Sequence, residues 1–307
     1  MTTHADFFYA EKNHFRCMSY RLKELLQSPP DTPFLAVLGD PIEHSLSPLI
    51  HGNALKKYNS DWQYLAIRVP KEDVHLISDL LAVSSFKGAN VTIPLKETVP
   101  GLVNFCSDEV RQIGAANTIY PTGEDWAAAN TDVHGFLTPL WAYQKSLTGQ
   151  DAIVLGTGGA ARAVCYALVQ KLGVNRIFLV SRNPEVVDVT TYPSSENITV
   201  IDYNSLPEAL SEGNLIVNTT PVGMHPNIDQ SPISGAYEHL LAGKICYDLI
   251  YRPQQTLFLK QARQAGGEPV GGLPMFVHQA AKSFEIWTGN EFPVAEAEKL
   301  IRETIYE

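Results

Sequence analysis

Four short stretches of this chain combine functional side chains with residues that turn the backbone. Gly39-Asp40-Pro41-Ile42-Glu43-His44-Ser45-Leu46-Ser47-Pro48 brings two hydroxyls to the start of a helix. Hydroxyls beside the free N–H groups of a helix N-terminus suit the grip of a carboxylate. Asn90-Val91-Thr92-Ile93-Pro94-Leu95-Lys96 puts positions 90 and 92 on one face of a strand, with Lys96 just past its end. Ala115-Ala116-Asn117-Thr118 and Asn130-Thr131-Asp132 add amides and one carboxylate. Singly, each has a structural explanation: caps for the serines, an Asx-turn for Asn130, a surface charge for Lys96. Jointly they point to a ligand, because open α/β sheets bind ligands at the carboxyl ends of their strands, where these residues gather.

A fifth stretch, Gly156-Thr157-Gly158-Gly159-Ala160-Ala161, matches G-x-G-x-x-A between a strand and a helix. The first glycine permits the tight turn and the second lets the backbone approach a pyrophosphate. Small Ala161 lets the helix pack on the strand, so that its N–H groups face the phosphates. NAD binders place an acid about 20 residues beyond the glycines. Here the next strand ends Leu179-Val180-Ser181-Arg182-Asn183, with no acid at its tip. Arg182 suits a 2′-phosphate instead, which favours NADP.

The elements that must hold these residues follow from apolar spacing and turn signals. Phe34–Gly39 reads as a buried strand, and Ser47-Pro48 as a helix start with Ser47 as cap and Pro48 in the first position. Trp62–Val69 and Lys87–Ile93 read as strands, with a helix at Asp73–Leu81 between them. A helix at Phe136–Lys145 precedes a restart of the pattern. Strands are expected at Asp151–Leu155, Arg176–Val180, Ile198–Ile201, Leu215–Asn218 and Lys244–Leu249. Helices are expected at Ala160–Leu172, Pro207–Glu212, Pro274–Trp287 and Val294–Tyr306. Alternation of strand and helix predicts parallel sheet rather than hairpins.

The fold class is therefore α/β with two domains and mostly parallel sheets. Residues 1–33 read as an N-terminal extension, with a short helix around Tyr20–Leu26 before the breaker Ser28-Pro29-Pro30-Asp31-Thr32-Pro33. Two α/β units are expected, over 34–133 with the four polar stretches and over 134–272 with the Rossmann-type dinucleotide-binding loop, followed by C-terminal helices over 273–307.

Composition narrows the partners. With 33 acidic against 23 basic residues, a formal charge of −10 argues against nucleic acid, which needs clustered Lys and Arg. No apolar run reaches the roughly 18 residues of a membrane span. The N-terminus has an acid at position 6 and no apolar core, so no secretory signal is expected. Cys17, Cys106, Cys165 and Cys246 form no CxxC or Cys/His cluster and read as free thiols in a reducing compartment, so a cytoplasmic location is expected.

The segments GDPIEHSLSPLIH, GANVTIPLKE, IGAANT, ANTDVHGF, VLGTGGAARA, SRN, NTTPVGM, YDLIY and GGLPMFVHQAAKSF closely resemble the shikimate dehydrogenase family. They occur in family order from about residue 34 to 290. The resemblance implies reversible NADPH-dependent reduction of 3-dehydroshikimate to shikimate, in the pathway to chorismate and the aromatic amino acids. It implies an active site in the cleft between two domains and a monomer or homodimer. Ser45 and Ser47 would hold the substrate carboxylate. Asn90, Thr92, Asn117 and Gln279 would bind ring hydroxyls or carboxylate, with Tyr251 nearby. Lys96 and Asp132 would be the catalytic pair. Gly156, Thr157, Gly158, Gly159, Ala160, Ser181, Arg182, Asn183, Leu249 and Gly272 would line NADP. No metal is implied, and no HExxH spacing occurs among the nine histidines. His44, His51 and His278 read as structural.

The chemistry agrees with these roles. Hydride transfer to a ketone develops negative charge on oxygen, so a positioned proton donor such as Lys96 lowers the barrier. The chain departs from the family pattern in three places. Val186 stands where a second basic residue is usual, Thr219-Thr220-Pro221 replaces Ala-Thr, and Leu249 and Pro274 replace Met and Gly. The single base at the adenosine end leaves NAD open as cofactor. A NAD-dependent quinate/shikimate dehydrogenase, and a non-catalytic ligand-sensing module on the same fold, are therefore alternative readings.

Overall fold

A computed structural model of the chain describes residues 8–11 and 14–306, and for 8–11 and 14–16 the backbone alone. The expected lack of a secretory signal falls largely on residues outside that range. The chain divides into two compact units, Met1–Thr131 with Ala280–Glu307, and Asp132–Gln279.

The first unit begins with an antiparallel pair, β1 (Phe8–Glu11) and β2 (His14–Cys17). Its main sheet comprises β3 (Ser19–Arg21), β4 (Phe34–Gly39), β5 (Gln63–Arg68), β6 (Phe86–Val91), β7 (Phe105–Cys106), β8 (Thr118–Thr122) and β9 (Asp125–Ala129). The strand order is β3-β5-β4-β6-β8-β9-β7. Strands β3 to β6 run parallel, as the buried run Phe34–Gly39 requires, since helices cover both faces of such a sheet. Helices α1 (Leu22–Gln27), α2 (Ser47–Lys57), α3 (Ile77–Leu81) and α4 (Asp108–Ile113) accompany them.

Part of this unit departs from the expected pattern. Strands β8 and β9 form an antiparallel hairpin closed by Gly123-Glu124, with Gly123 at φ +64°. That glycine is the local signal for the turn. Ala127-Ala128-Ala129 lacks the β-branched residues that mark a strand, so the strand went unread. The segment expected as an extension enters the unit from Ser19 onward. Strand β3 pairs in parallel with β5, and Leu22 and Leu25 of α1 are buried in the core.

The second unit opens with α5 (Asp132–Leu137) and α6 (Gln144–Leu147). Its sheet holds β10 (Asp151–Leu155), β11 (Arg176–Val180), β12 (Ile198–Ile201), β13 (Leu215–Asn218), β14 (Ile245–Asp248) and β15 (Glu268–Val270). All are parallel, in the order β12-β11-β10-β13-β14-β15. The order reverses direction at β10 and β13, which is the doubly wound arrangement of a Rossmann sheet. Ala152–Leu155 of β10 and Leu215–Val217 of β13 are apolar and buried. Helices α7 (Gly159–Tyr166), α8 (Leu206–Glu212) and α9 (Leu257–Gln264) connect the strands. The sequence pattern marks neither α9 nor β15. Helix α10 (Leu273–Thr288) runs from one unit's residues into the other's, and α11 (Val294–Ile305) completes the first unit. Among the described residues no helix is long and apolar enough to cross a membrane.

Candidate active site

In the first unit, the candidate residues sit where β4 and β6 end and α2 begins. Ser47 is the first residue of α2 rather than its cap, and the Ser45 hydroxyl accepts the Ser47 N–H at 3.3 Å. Proline at the second helical position has no N–H to satisfy, so it fits there without loss. Thr92 leaves β6 with its N–H donating to Leu38 O at 2.9 Å. Its methyl lies so close to Gly39 that a Cβ there would meet it at 2.4 Å. Glycine at 39 is therefore what allows β4 to end against the Thr92 turn. Lys96 is half-buried four residues on, and its carbonyl accepts the Ala116 N–H at 2.8 Å, tying the lysine loop to the segment before β8.

Asn90 and Asn117 are buried and sit in one hydrogen-bond network. Tyr64 Oη donates to Asn90 Oδ1 at 2.8 Å. Asn90 Nδ2 donates to Ser283 Oγ at 2.9 Å. Asn117 Oδ1 accepts the Thr131 N–H at 2.7 Å and the Thr118 hydroxyl at 3.0 Å, while its Nδ2 donates to Thr131 Oγ1 at 3.0 Å. Ser283 Oγ lies 2.9 Å from Thr118 Oγ1 and 3.0 Å from Thr131 Oγ1, closing the network. The sequence motifs contain Thr118 and Thr131 without marking them as site-forming, and contain neither Tyr64 nor Ser283. Their signal is tertiary: β5, β8, the loop after β9 and α10 bring them together from positions 64 to 283.

His51 is fully buried, stacked on Tyr64 at 4.5 Å, and packed against Phe284, Trp287 and Phe292. Burial drives its pKa down to about 3, so the ring is neutral and serves as packing. His44 is exposed and His278 half-buried.

In the second unit, Asp132 is the first residue of α5 and is buried. Gln279 stands on α10 and donates to Phe276 O at 2.7 Å. The two helices approach closely at Gly135, where a Cβ would meet Met275 O at 2.5 Å and Gln279 N at 2.9 Å. That contact brings the helices bearing Asp132 and Gln279 together. Tyr251 stacks on Phe276 at 4.7 Å, placing it beside the same helix.

The glycine loop joins β10 to α7. Gly156 has φ +102°, a conformation that favours glycine, and a Cβ on it would strike Thr220 and Thr219. Gly158 caps α7 in an extended conformation with no side-chain acceptor, and nothing lies within 4 Å of where its Cβ would be. The first N–H groups of the helix are thus left to a ligand. The departure at Thr219-Thr220 has a role here. The Thr219 hydroxyl donates to Leu155 O at 2.7 Å, just before Gly156.

Behind that loop is a second buried network. Asn218 Oδ1 accepts the Thr220 N–H at 3.0 Å, and Asn218 Nδ2 donates to Asp248 Oδ1 at 3.0 Å. Thr256 and the Ile250 N–H donate to the same carboxylate at 2.6 and 3.1 Å. Burial nonetheless pushes the Asp248 pKa up to about 6. Leu249 and Gly272 touch, since a Cβ on Gly272 would meet Leu249 O at 2.2 Å. At the tip of β11, Ser181 is buried and its hydroxyl accepts the Asn183 N–H at 3.1 Å. Arg182 is exposed and makes no ion pair among the described residues. Val186, where a second base would stand, is 75 % exposed. An open glycine cradle, an uncapped helix start and an unpaired arginine fit a phosphorylated dinucleotide. Among the described residues, no group of three or more His, Cys, Asp or Glu could hold a metal ion.

Sequence models of the shikimate dehydrogenase substrate binding domain and of the shikimate 5'-dehydrogenase C-terminal domain match residues 37–119 and 272–302. A shikimate dehydrogenase (NADP(+)) of Gloeothece citriformis is 39 % identical over 272 residues, 86 % of this chain and 93 % of its own length. One from Synechocystis is 39 % identical over 269 residues, 86 % of this chain and 92 % of its own. Among solved structures, a chorismate mutase/shikimate 5-dehydrogenase fusion protein from Clostridium acetobutylicum superposes with a TM-score of 0.80 at 35 % identity. It covers 91 % of this chain and 100 % of that one. The Thermus thermophilus shikimate 5-dehydrogenase in complex with NADP(H) and shikimate gives 0.77 at 33 % identity, over 89 % and 100 %.

Proposed function

The chain belongs to the shikimate dehydrogenase family, and on that premise we propose that it reversibly reduces 3-dehydroshikimate to shikimate with NADPH. The observation that carries this reading is the extent of the likeness. Relatives named for this NADP-dependent activity align over 86 % of the chain, a span longer than either unit alone.

In this reading Ser45 and Ser47 hold the substrate carboxylate at the start of α2. Asn90, Thr92, Asn117 and Gln279 bind ring hydroxyls or the carboxylate, and Tyr251 lies close by. Gly156 to Ala160, Ser181 to Asn183, Leu249 and Gly272 hold the dinucleotide, with Arg182 on its 2′-phosphate. When bound, NADPH supplies the hydride that reduces the carbonyl carbon. Lys96 gives its proton to the oxygen as negative charge develops there, and takes the alcohol proton in oxidation. Asp132 accepts a hydrogen bond from a ring hydroxyl and fixes the ring's orientation. No step requires a metal. The domain reading goes with this: 34–133 for substrate, 134–272 for cofactor and 273–307 as closing helices. A cytoplasmic location fits the four free cysteines, three of them buried, and the chain is read as a monomer or homodimer.

The test is steady-state oxidation of shikimate and of quinate, each with NADP+ and NAD+. Shikimate with NADP+ is expected to be fastest. Preferred turnover of quinate with NAD+ would transfer the assignment to that activity. No turnover of either acid with either cofactor would overturn the proposal.

A further inference from the structure

Away from the residues assigned to catalysis, the first unit holds a cavity of about 190 Å³ beside α2. Pro48, Gly52 and Lys56 line it from one helix face, at the four-residue spacing that stacks side chains in a row. Tyr20 of β3, Trp62 and Tyr64 supply aromatic walls. Tyr20 belongs to the segment before residue 37, outside the matched substrate-domain model. The volume suits one ring with a short substituent, since an apolar cavity of roughly 150 Å³ already accepts benzene.

Two observations point to an occupant and to its charge. Gly52 lies mid-helix, where glycine costs about 1 kcal/mol relative to alanine. Nothing lies within 4 Å of where its Cβ would be, and its φ is not positive, so neither packing nor backbone geometry calls for glycine there. Its effect is to keep the cavity open. At the lining stand one cation and one anion, Lys56 and Asp61, both exposed and neither in an ion pair among the described residues. Neighbouring Lys57, by contrast, is paired with Glu296 at 2.6 Å.

We propose that this cavity binds a single aromatic ring carrying a zwitterionic amino-acid group, the ring against Trp62 and Tyr64, the carboxylate toward Lys56 and the ammonium toward Asp61. Occupancy bears on the substrate residues, because Tyr64 forms the wall and its hydroxyl holds Asn90 Oδ1. Pro48, another lining residue, directly follows Ser47.

The test is calorimetric titration of the chain with L-phenylalanine, against 3-phenylpropionate and phenethylamine as single-charge controls. Binding is read without turnover, so its failure is separable from failure of the dehydrogenase assignment. Saturable binding of L-phenylalanine in about the millimolar range is expected. Gly52→Leu should fill the cavity and weaken binding about tenfold or more, with shikimate oxidation retained. Should that variant fail to fold, Lys56→Ala is expected to weaken L-phenylalanine while leaving phenethylamine unchanged. No saturation by L-phenylalanine, equal binding by wild type and both variants, or equal binding of either single-charge control would each overturn the proposal.

Discussion

The two candidate ligand regions are built on opposite plans. In the first unit, the groups proposed to meet the substrate are side chains, and Asn90 and Asn117 are held by partners drawn from positions 64 to 283. In the second unit, the groups proposed to meet the nucleotide are mostly backbone, an uncapped helix start beside Gly156 and Gly158, plus exposed Arg182. Buried side chains exist there too, but Asp248 and Asn218 hold the loop of Thr220 rather than face outward. A site that must distinguish ring hydroxyls needs fixed donors and acceptors. A site that accepts a pyrophosphate needs N–H groups and room.

The largest effect should come from the one reactive side chain assigned to the first unit. Lys96→Ala is expected to lower kcat roughly 10²–10⁴-fold, the usual loss for a general acid/base. Shikimate KM and thermal stability should change little. Near-normal turnover in a steady-state assay would remove Lys96 from its role and break the contrast at its centre.

Next comes the buried carboxylate of the second unit, whose effect is on stability. The native Asp248 pKa is about 6 against an ordinary 3.8, so as pH falls the folded chain takes up this proton before the unfolded chain does. Its contribution is therefore most favourable below 3.8, declines as pH rises through that window, and levels off above about 6. Asp248→Asn should abolish this slope, changing the wild-type-minus-variant difference by on the order of 2–3 kcal/mol across the window. Denaturant melts at several pH values would measure it, and a flat difference would show that Asp248 is ionised in the fold without penalty.

Arg182→Ala tests the exposed part of the nucleotide plan. Loss of charge-assisted bonds to a 2′-phosphate, roughly 1.5–3 kcal/mol, predicts an increase of about 10–100-fold in KM for NADP+. KM for NAD+ and the melting temperature should stay near wild type, since the side chain is exposed and unpaired. Equal losses with both cofactors would show that Arg182 does not read the phosphate.

This difference in plan also explains what the sequence made legible. The glycine loop, β10 and β11 were readable because their determinants are adjacent in the chain: an apolar run, a glycine at positive φ, a helix start. Strands Asp151–Leu155 and Arg176–Val180 match the expected bounds. In the first unit the motifs exposed Asn90, Thr92, Lys96 and Asn117, but not the residues that hold the two amides. Ser283 lies on a helix whose apolar period signals only burial, and Tyr64 reads as an ordinary strand aromatic. The hairpin of β8 and β9 hid behind a run of alanines, and β3 behind a segment that ends in prolines. In each case the missing information is a contact distant in sequence.

The smallest expected effect probes the least legible residue. Ser283 is fully buried, and its hydroxyl lies 2.9 Å from Asn90 Nδ2, 2.9 Å from Thr118 Oγ1 and 3.0 Å from Thr131 Oγ1. In Ser283→Ala, Asn90 Nδ2 keeps its longer contacts, at 3.4 Å, to Asn117 O and Thr118 Oγ1, while Oδ1 keeps the Tyr64 hydroxyl at 2.8 Å. One hydroxyl bonded to neutral partners is worth about 1 kcal/mol, so the melting temperature should fall by only a few degrees. If the network positions Asn90 for substrate, KM for shikimate should rise several-fold while kcat with saturating substrate holds. A fall in stability with unchanged KM would make the network a packing device alone. The first unit would then resemble the second, with buried polar groups serving the fold and the ligand met by other atoms.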